Sequence, residues 1–262
     1  MQGMGASVTS PEQKIYSALL IGGVIAAALA FVALFFFSAP YGRHVRASWG
    51  PTVNAASAWM LMESPAVIVF AACFLLGNRG QPSMTWLFFA LWQIHYANRA
   101  FVYPLRRKRR GTPMPLALAG LGILFNTYNG YLNGRYLGIH GADYGASWVS
   151  DPRFACGVGL FVLGLSINIH SDSILRKLRK DGDSGYRIPH GGLYRWISCP
   201  NYFGEILEWT GWAVAVWSSP GALFALWSAA NLVPRARDHH RWYRQTLEGY
   251  PAQRRAIIPF VF

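Results

Sequence analysis

The sequence predicts an all-α, polytopic membrane protein with seven transmembrane helices in one bundle. Three features support this fold class: an apolar composition, seven long apolar segments and an uneven distribution of basic residues. Of the 262 residues, 53% are hydrophobic and only 13% are charged, whereas about a quarter of the residues in soluble domains are charged. We expect residues 1–262 to form a single membrane domain.

Seven segments are long and apolar enough to be membrane spans, because a helix needs about 20 mainly apolar residues to cross a bilayer. They lie at about 16–37, 54–77, 84–105, 115–138, 154–175, 201–218 and 220–236. The first segment lacks the pattern of a cleavable signal peptide, so we expect it to span the membrane and remain in the protein.

The basic residues indicate the orientation of the chain. If the N-terminus lies outside, 19 of the 24 Lys and Arg residues fall on the cytoplasmic side and four fall outside. Membrane proteins show this excess on the cytoplasmic side, so we expect a cytoplasmic C-terminus. The net charge of +13 is then explained without a nucleic-acid partner, and we expect none. The expected location is the inner membrane of a bacterium or the endoplasmic reticulum of a eukaryote.

Several polar side chains fall inside the predicted spans. In the fourth span Asn126, Asn129 and Asn133 recur at helical spacing, so one face of that helix is expected to line a cavity. Ionisable residues within spans are functional candidates because inserting them into lipid is unfavourable. The candidates are Glu63, His95, Arg99, His170, Asp172, Glu205 and Glu208.

Structural roles for these residues remain open at this point. Asn168, Asp172 and Arg179 share one helix face and could form a hydrogen-bond ladder that only stabilises the bundle. Glu205 or Glu208 could pair with a buried Arg. His170 points away from Asp172, which favours a structural role.

The sequence does not indicate a metal site, a disulfide framework or a Rossmann domain. Cys73, Cys156 and Cys199 show no CxxC spacing, and neither GxGxxG nor a P-loop is present. The basic segment "RKLRKDGDSGYRIPHGGLYRWISCPNY" could still surround phosphates with guanidinium and backbone donors.

The C-terminal half contains three distinctive segments: "NIHSDSILRKLRK", "SGYRIPHGGLYRWISCPNYFGEILEW" and "HHRWYRQTLEGYPAQRRAIIPFVF". Together they resemble the C-terminal signature of the steroid 5α-reductase (3-oxo-5α-steroid 4-dehydrogenase) family, within residues 164–262. Weaker similarity in "MESPAV" and "HYANRAFVYP" extends the resemblance to about residues 55–262. We expect a bacterial member of this family.

The resemblance implies an NADPH-dependent enzyme that reduces the C4=C5 double bond of a 3-oxo-Δ4-steroid, such as testosterone or progesterone, to the 5α-dihydrosteroid. It assigns Glu63 to the steroid ketone, Tyr96 to proton donation and Trp59 to the steroid pocket. It assigns cofactor binding to Asn168, Asp172, Arg179, Tyr186, Arg187, Asn201, Glu205, His239, Tyr243 and Arg254. We expect a monomer that takes its apolar substrate, a steroid or another lipid enone, from the bilayer.

Glu63 and Tyr96 suit the reduction of an enone, because negative charge develops on the ketone oxygen and hydrogen-bond donors stabilise it. Glu63 donates only when protonated, which burial in an apolar setting favours. The chain departs from the family at Met62, where related steroid reductases often have Gln. This departure leaves an enoyl-thioester or another lipid enone open as the substrate. An isoprenylcysteine-type methyltransferase and a non-catalytic lipid-binding protein remain open as alternatives of other classes.

Overall fold

The structure is a computed structural model, and it describes residues 10–37, 50–77, 83–106, 113–141, 144–178 and 185–262. Within these ranges the chain forms seven long helices. They are α1 (Pro11–Phe36), α2 (Ala55–Gly77), α3 (Ser83–Ala97), α4 (Leu116–Arg135), α5 (Pro152–Leu178), α6 (Pro200–Val216) and α7 (Ser219–Thr246). The all-α prediction and the seven predicted helices are confirmed.

Shorter elements extend or connect these helices. A π-helical turn (Asn98–Val102) and one α-helical turn (Tyr103–Leu105) continue α3, and a second π-helical turn (Tyr136–His140) continues α4. Two 3₁₀ turns cover Ala146–Ser150 and Gly192–Arg195.

One element was not predicted: a short antiparallel pair of strands, β1 (Thr52–Asn54) and β2 (Pro113–Pro115). The strands directly precede α2 and α4, so their pairing brings the starts of these two helices together.

The protein is an integral membrane protein by the character of its helices. Three of them, α1, α2 and α5, are each long and apolar enough to cross a membrane. Many large apolar side chains on these helices are exposed, including Ile21 and Leu29 on α1 and Ile68 on α2. Exposed apolar side chains of this kind are suited to contact with lipid.

The last helix continues well past its predicted span. The apolar run ends near residue 236, where arginines and histidines begin, but α7 stays helical to Thr246. Its extension buries His239 and Tyr243. The sequence pattern shows where the apolar residues end. The helix continues further because residues of its extension, such as His239 and Tyr243, are buried against the rest of the protein.

Helices α5 and α6 pack with their backbones in close contact. Gly157 and Gly164 on α5 face Gly211 and Gly204 on α6, so that a Cβ atom added to any of them would come within 2.7 Å of a backbone atom of the other helix. Small residues at a helix interface permit such close packing in membrane proteins. This contact sets the register between the polar residues at the ends of the two helices.

The core beside this interface is rich in aromatic side chains. The Phe70 and Trp92 rings stack with centroids 4.4 Å apart, and Trp209 lies 5.4 Å from Trp92. Trp92 is fully buried, and its Nε1 donates to the Ala66 carbonyl oxygen at 2.9 Å. This core fixes α3 against α2 and α6, and Tyr96 follows Trp92 by one turn on the same face of α3.

Candidate active site

Glu63 lies in the interior of α2 at a local irregularity of that helix. Pro65 has no N–H group, so it leaves the carbonyl oxygen of Leu61 without its usual helical partner. The Ser64 hydroxyl donates to that oxygen at 3.2 Å. The Glu63 side chain is buried, with 9% of its surface exposed, and its Oε2 accepts a hydrogen bond from Asn126 Nδ2 on α4 at 3.3 Å.

Tyr96 lies on α3 and reaches the same face of α4. The residue is 3% exposed, and Asn129 Nδ2 lies 3.4 Å from its hydroxyl oxygen. Asn126 and Asn129 are three residues apart, which places them on neighbouring positions of one helix face. The two predicted catalytic residues therefore lie on different helices, and each contacts an asparagine side chain on the same face of α4. The asparagines on this face are buried inside the bundle, and the expectation that they line a cavity stays a prediction.

Arg99 connects the two halves of the site. It lies in the π-helical turn that continues α3, and such turns are frequent at functional sites. Its guanidinium group lies against the rings of both Trp59 and Tyr103, 4.8 Å and 4.9 Å from their centroids. The same group lies 3.7 Å from an Asp172 carboxylate oxygen and 3.6 Å from a Glu205 carboxylate oxygen. The hypothesis that Glu205 pairs with a buried Arg is thus confirmed.

The nearby ends of α5 and α6 carry four of the predicted cofactor-binding residues. Asn168 Nδ2 donates to the Asn201 carbonyl oxygen at 3.0 Å and lies 3.5 Å from Glu205 Oε2. Asn201 Nδ2 in turn donates to Asp172 Oδ1 at 3.2 Å. The glycine contacts between the two helices make this short network possible.

A second group of predicted residues lies around the extension of α7 and the C-terminal segment. Backbone hydrogen bonds join the loop before α6 to this segment: Ser198 N donates to the Arg255 oxygen at 2.8 Å and Cys199 N donates to the Ala256 oxygen at 3.1 Å. They place Arg254 beside α7, where the Tyr243 and Tyr250 rings stack with centroids 5.3 Å apart.

Arg254 is buried, with 3% of its surface exposed, and its guanidinium lies over the Tyr250 ring at 5.1 Å. Within the described ranges, its Nε and Nη1 have no hydrogen-bond acceptor. Buried guanidinium donors normally have partners, and the oxygens of a phosphate match their geometry. The residue therefore fits the phosphate of a nucleotide.

His240 lies near the C-terminal end of α7 and contacts the residues around Tyr250. Its Nδ1 lies 2.6 Å from the Ser198 hydroxyl oxygen, which is also 2.7 Å from the Tyr250 hydroxyl oxygen. Burial first, and then the positive charges of Arg244 and Arg255, hold the pKa of His240 below its ordinary value. His240 is therefore neutral at physiological pH.

Other predicted cofactor-binding residues lie near the C-terminal extension of α7. The Tyr186 ring lies 4.8 Å from the Trp242 ring, and the Tyr202 hydroxyl is 3.1 Å from His239 Nε2. Arg187 is exposed on the segment beside Tyr186. Arg179 lies outside the residues that the structure describes.

Residues that were not assigned to the site also lie within it. Arg99 was considered only as an ionisable residue in a span, although it contacts Trp59, a predicted steroid-pocket residue, and Asp172 and Glu205, two predicted cofactor-binding residues. His95 and Glu208 form a buried pair, with Nδ1 and Oε1 2.7 Å apart. The helical spacing of the asparagines was a usable signal for Asn126 and Asn129, but their partners could not be read from spacing.

With this geometry in place, comparison with known proteins identifies the family. The family model described as 3-oxo-5-alpha-steroid 4-dehydrogenase matches residues 112–262. The chain belongs to this family. The resemblance inferred from the three C-terminal segments is thereby confirmed.

Individual relatives match over most of their length. One is the "3-oxo-5-alpha-steroid 4-dehydrogenase 1" of Macaca fascicularis, 46% identical over 226 residues that cover 85% of this chain and 84% of the relative. The "Steroid 5-alpha-reductase DET2" of Gossypium hirsutum is 41% identical over 257 residues, 96% of this chain and 99% of the relative. The "3-oxo-5-alpha-steroid 4-dehydrogenase 2" of Sus scrofa is 42% identical over 258 residues, 96% of this chain and 100% of the relative. These are mammalian and plant proteins, and none of them supports the expectation of a bacterial source.

The family is one of oxidoreductases, and a nicotinamide cofactor is consistent with that chemistry. The roles of the individual site residues stay predictions.

Proposed function

We propose that this protein uses NADPH to reduce the C4=C5 double bond of 3-oxo-Δ4-steroids to the 5α-dihydro products. Its similarity to proteins named as steroid 5-alpha-reductases supports the reaction class. The observation that carries the proposal is the arrangement around Arg99. This cation contacts the ring of Trp59, which is predicted to lie in the steroid pocket, and lies beside the carboxylates of Asp172 and Glu205, which are predicted to bind the cofactor.

Glu63 and Tyr96 provide the donors that the reaction needs. The ketone oxygen of an enone only accepts hydrogen bonds, and it becomes negatively charged as the double bond is reduced. A protonated Glu63 and the Tyr96 hydroxyl, both buried, can each donate to that oxygen. One well-placed donor in a dry site contributes on the order of 3 kcal/mol to transition-state stabilisation. We assign the protonated state to Glu63 because a carboxylate cannot donate.

The residues at the ends of α5 and α6 suit the nicotinamide end of NADPH, which supplies the hydride when bound. Asn168, Asn201 and Glu205 offer amide and carboxylate groups close to Arg99. Arg254 suits a phosphate, because its buried Nε and Nη1 have no acceptor among the described residues. The cofactor would thus extend from the bundle interior to the cytoplasmic end of α7.

The distribution of charge supports an orientation for the enzyme. With the N-terminus outside, the arginine-rich extension of α7 and the C-terminal segment lie in the cytoplasm, where NADPH is available. The steroid is apolar and reaches Trp59 from the lipid. We propose that the protein acts as a monomer in the membrane.

The test uses the full-length protein purified in detergent, incubated with NADPH and either progesterone or testosterone. The expected product is the 5α-dihydrosteroid, identified by chromatography and mass spectrometry. Glu63→Met is close in size and removes the donor, so it should lower kcat by about 100-fold with a smaller change in NADPH and steroid binding. The matched control is Glu248→Met, which alters an exposed carboxylate and should leave kcat unchanged.

Two results would contradict the proposal. If the wild type reduces a trans-2-enoyl thioester with NADPH but no Δ4-3-ketosteroid, the proposed substrate class is wrong. If Glu63→Met keeps full activity across the pH range, the role of Glu63 as a protonated donor is wrong.

A further inference from the structure

A continuous chain of hydrogen bonds runs from Trp212 on α6 through two asparagines of α4 to Tyr96. Trp212 Nε1 lies 3.1 Å from Asn133 Oδ1. Asn133 Nδ2 lies 3.2 Å from the Asn129 backbone oxygen and 2.9 Å from Asn129 Oδ1. Asn129 Nδ2 then lies 3.4 Å from the Tyr96 hydroxyl oxygen.

The chemistry of the partners determines the direction of every bond in this chain. An indole N–H can only donate, so the Asn133 atom that faces Trp212 is its oxygen. The amide nitrogen of Asn133 therefore faces the Asn129 backbone carbonyl, which can only accept, and the oxygen of the Asn129 side chain. That leaves the Asn129 amide nitrogen facing Tyr96. Tyr96 must accept this hydrogen bond, and its own proton points to another partner.

The same reasoning applies to Asn126 and Glu63. Asn126 Nδ2 lies 2.8 Å from the Met62 backbone oxygen, which can only accept, so this atom is the amide nitrogen. It also lies 3.3 Å from Glu63 Oε2. Oε2 therefore accepts a hydrogen bond, and the proton of a neutral Glu63 belongs on Oε1.

Burial makes these directions effective. Asn126, Asn129 and Asn133 are 5%, 4% and 2% exposed, and Trp212 is fully buried. Water has little access to these amides, so it cannot readily replace a partner or reverse a bond.

We infer that Asn129 and Asn126 are positioning residues that direct the protons of Tyr96 and Glu63 towards the ketone oxygen. Asn129 occupies the acceptor side of the Tyr96 hydroxyl, and Asn126 occupies one oxygen of Glu63. Each catalytic group is left with one proton to donate to substrate. The inference rests on the proposed function and adds to it the residues that orient its two donors.

The test is a double-mutant cycle between Asn129 and Tyr96. Asn129→Leu is close in size, removes the amide, and leaves Asn133 bonded to the Asn129 backbone oxygen. We expect kcat to fall about tenfold or more with a smaller change in the steroid KM. In a Tyr96→Phe background the same substitution should lower kcat by less than about twofold, because the group that it orients is gone.

A matched control separates this effect from a general loss of packing. Gln93 lies on α3, and its Nε2 donates to the Val67 backbone oxygen at 3.2 Å. Gln93→Met removes a half-buried amide of α3 without touching the chain of hydrogen bonds. It should leave kcat unchanged in both backgrounds.

A spectroscopic measurement covers the case in which the variants have low activity. The carbonyl stretch of a 4-en-3-one steroid bound with NADP⁺ shifts to lower frequency when donors polarise the ketone. Asn129→Leu and Tyr96→Phe should each lose part of this shift, and the double variant should lose no more than Tyr96→Phe alone. The NADPH dissociation constant should stay constant in all of them.

The outcomes distinguish the inference from the proposed function. A wild type that reduces no Δ4-3-ketosteroid refutes the proposed function itself. An active wild type in which Asn129→Leu lowers kcat equally with and without the Tyr96 hydroxyl refutes the inference. An unchanged carbonyl band in Asn129→Leu refutes it as well.

Discussion

Replacing Gly164 with Ala tests whether close backbone contact between α5 and α6 positions the cofactor residues. A Cβ atom at this position would lie 2.3 Å from the Glu208 backbone nitrogen and 2.5 Å from the Gly204 carbonyl oxygen. Both atoms belong to the backbone of α6, so no rotation of a side chain can relieve the clash. Since ordinary contact begins at 3.4 Å, the two helices must separate locally by roughly 1 Å.

The separation lowers the free energy of unfolding through two effects, overpacking and a lost hydrogen bond. Overpacking of this kind typically costs about 1–3 kcal/mol. The bond from Asn168 Nδ2 to the Asn201 oxygen is 3.0 Å long, and a displacement of roughly 1 Å takes it beyond hydrogen-bond range. Its loss adds about 1 kcal/mol. We therefore expect Gly164→Ala to lower the free energy of unfolding by about 2–4 kcal/mol and to weaken NADPH binding.

The assay measures thermal unfolding in detergent and the NADPH dissociation constant by fluorescence. Gly159→Ala is the matched control, because it lies on the same helix and an added Cβ would meet nothing within 4 Å. The control should keep both the Tm and the NADPH affinity of the wild type. If Gly164→Ala were as stable as Gly159→Ala, the idea that this contact sets the register of the site would be refuted.

Three further substitutions examine the charged parts of the structure. Arg99→Gln leaves the Asp172 and Glu205 carboxylates without their cation. We expect a loss of about 3 kcal/mol in stability and weaker NADPH binding. An unchanged Tm would contradict the bridging role of Arg99. Arg254→Lys keeps the charge but loses the planar pair of donors. The NADPH dissociation constant should therefore rise about tenfold while the steroid KM stays constant. An equal rise in both constants would argue against a phosphate contact. His240→Gln removes a group whose pKa is lowered in the folded protein. Folding therefore disfavours its protonation, and the wild type should lose stability as pH falls below about 6.5. Unfolding measured between pH 7 and pH 5 should show a smaller loss in His240→Gln, and an identical loss would refute this assignment.

Much of the fold could be predicted from the sequence, because the length and apolar character of a helix that crosses lipid are local properties. All seven predicted segments correspond to helices. The sequence did not predict where α7 ends, at Thr246, or that the backbone forms a π-helical turn at Asn98–Val102. Whether a helix continues into water, or widens by one residue in a turn, depends on what packs against it.

The candidate site could be predicted in part. Polar residues in apolar segments stand out, and the family motifs indicated Glu63, Tyr96 and the cofactor residues. The role of Arg99 between Trp59 and two carboxylates could not be derived, since its partners lie on three different helices. Nor could the sequence indicate that His95 pairs with Glu208. The two residues are 113 positions apart in the chain, and no local pattern shows that they meet in the folded protein.

The sequence by itself determined the fold class, the family and the groups able to do the chemistry, because these depend on residue type, spacing and motif. Only the tertiary structure decided which groups meet and which atom donates to which. The glycine contacts between α5 and α6 set the network around Asn168, and the packing of α4 against α2, α3 and α6 directs the hydrogen bonds at Tyr96 and Glu63. The physical reason is that a hydrogen bond acts only at short range and in a fixed direction, and packing between distant parts of the chain creates those conditions.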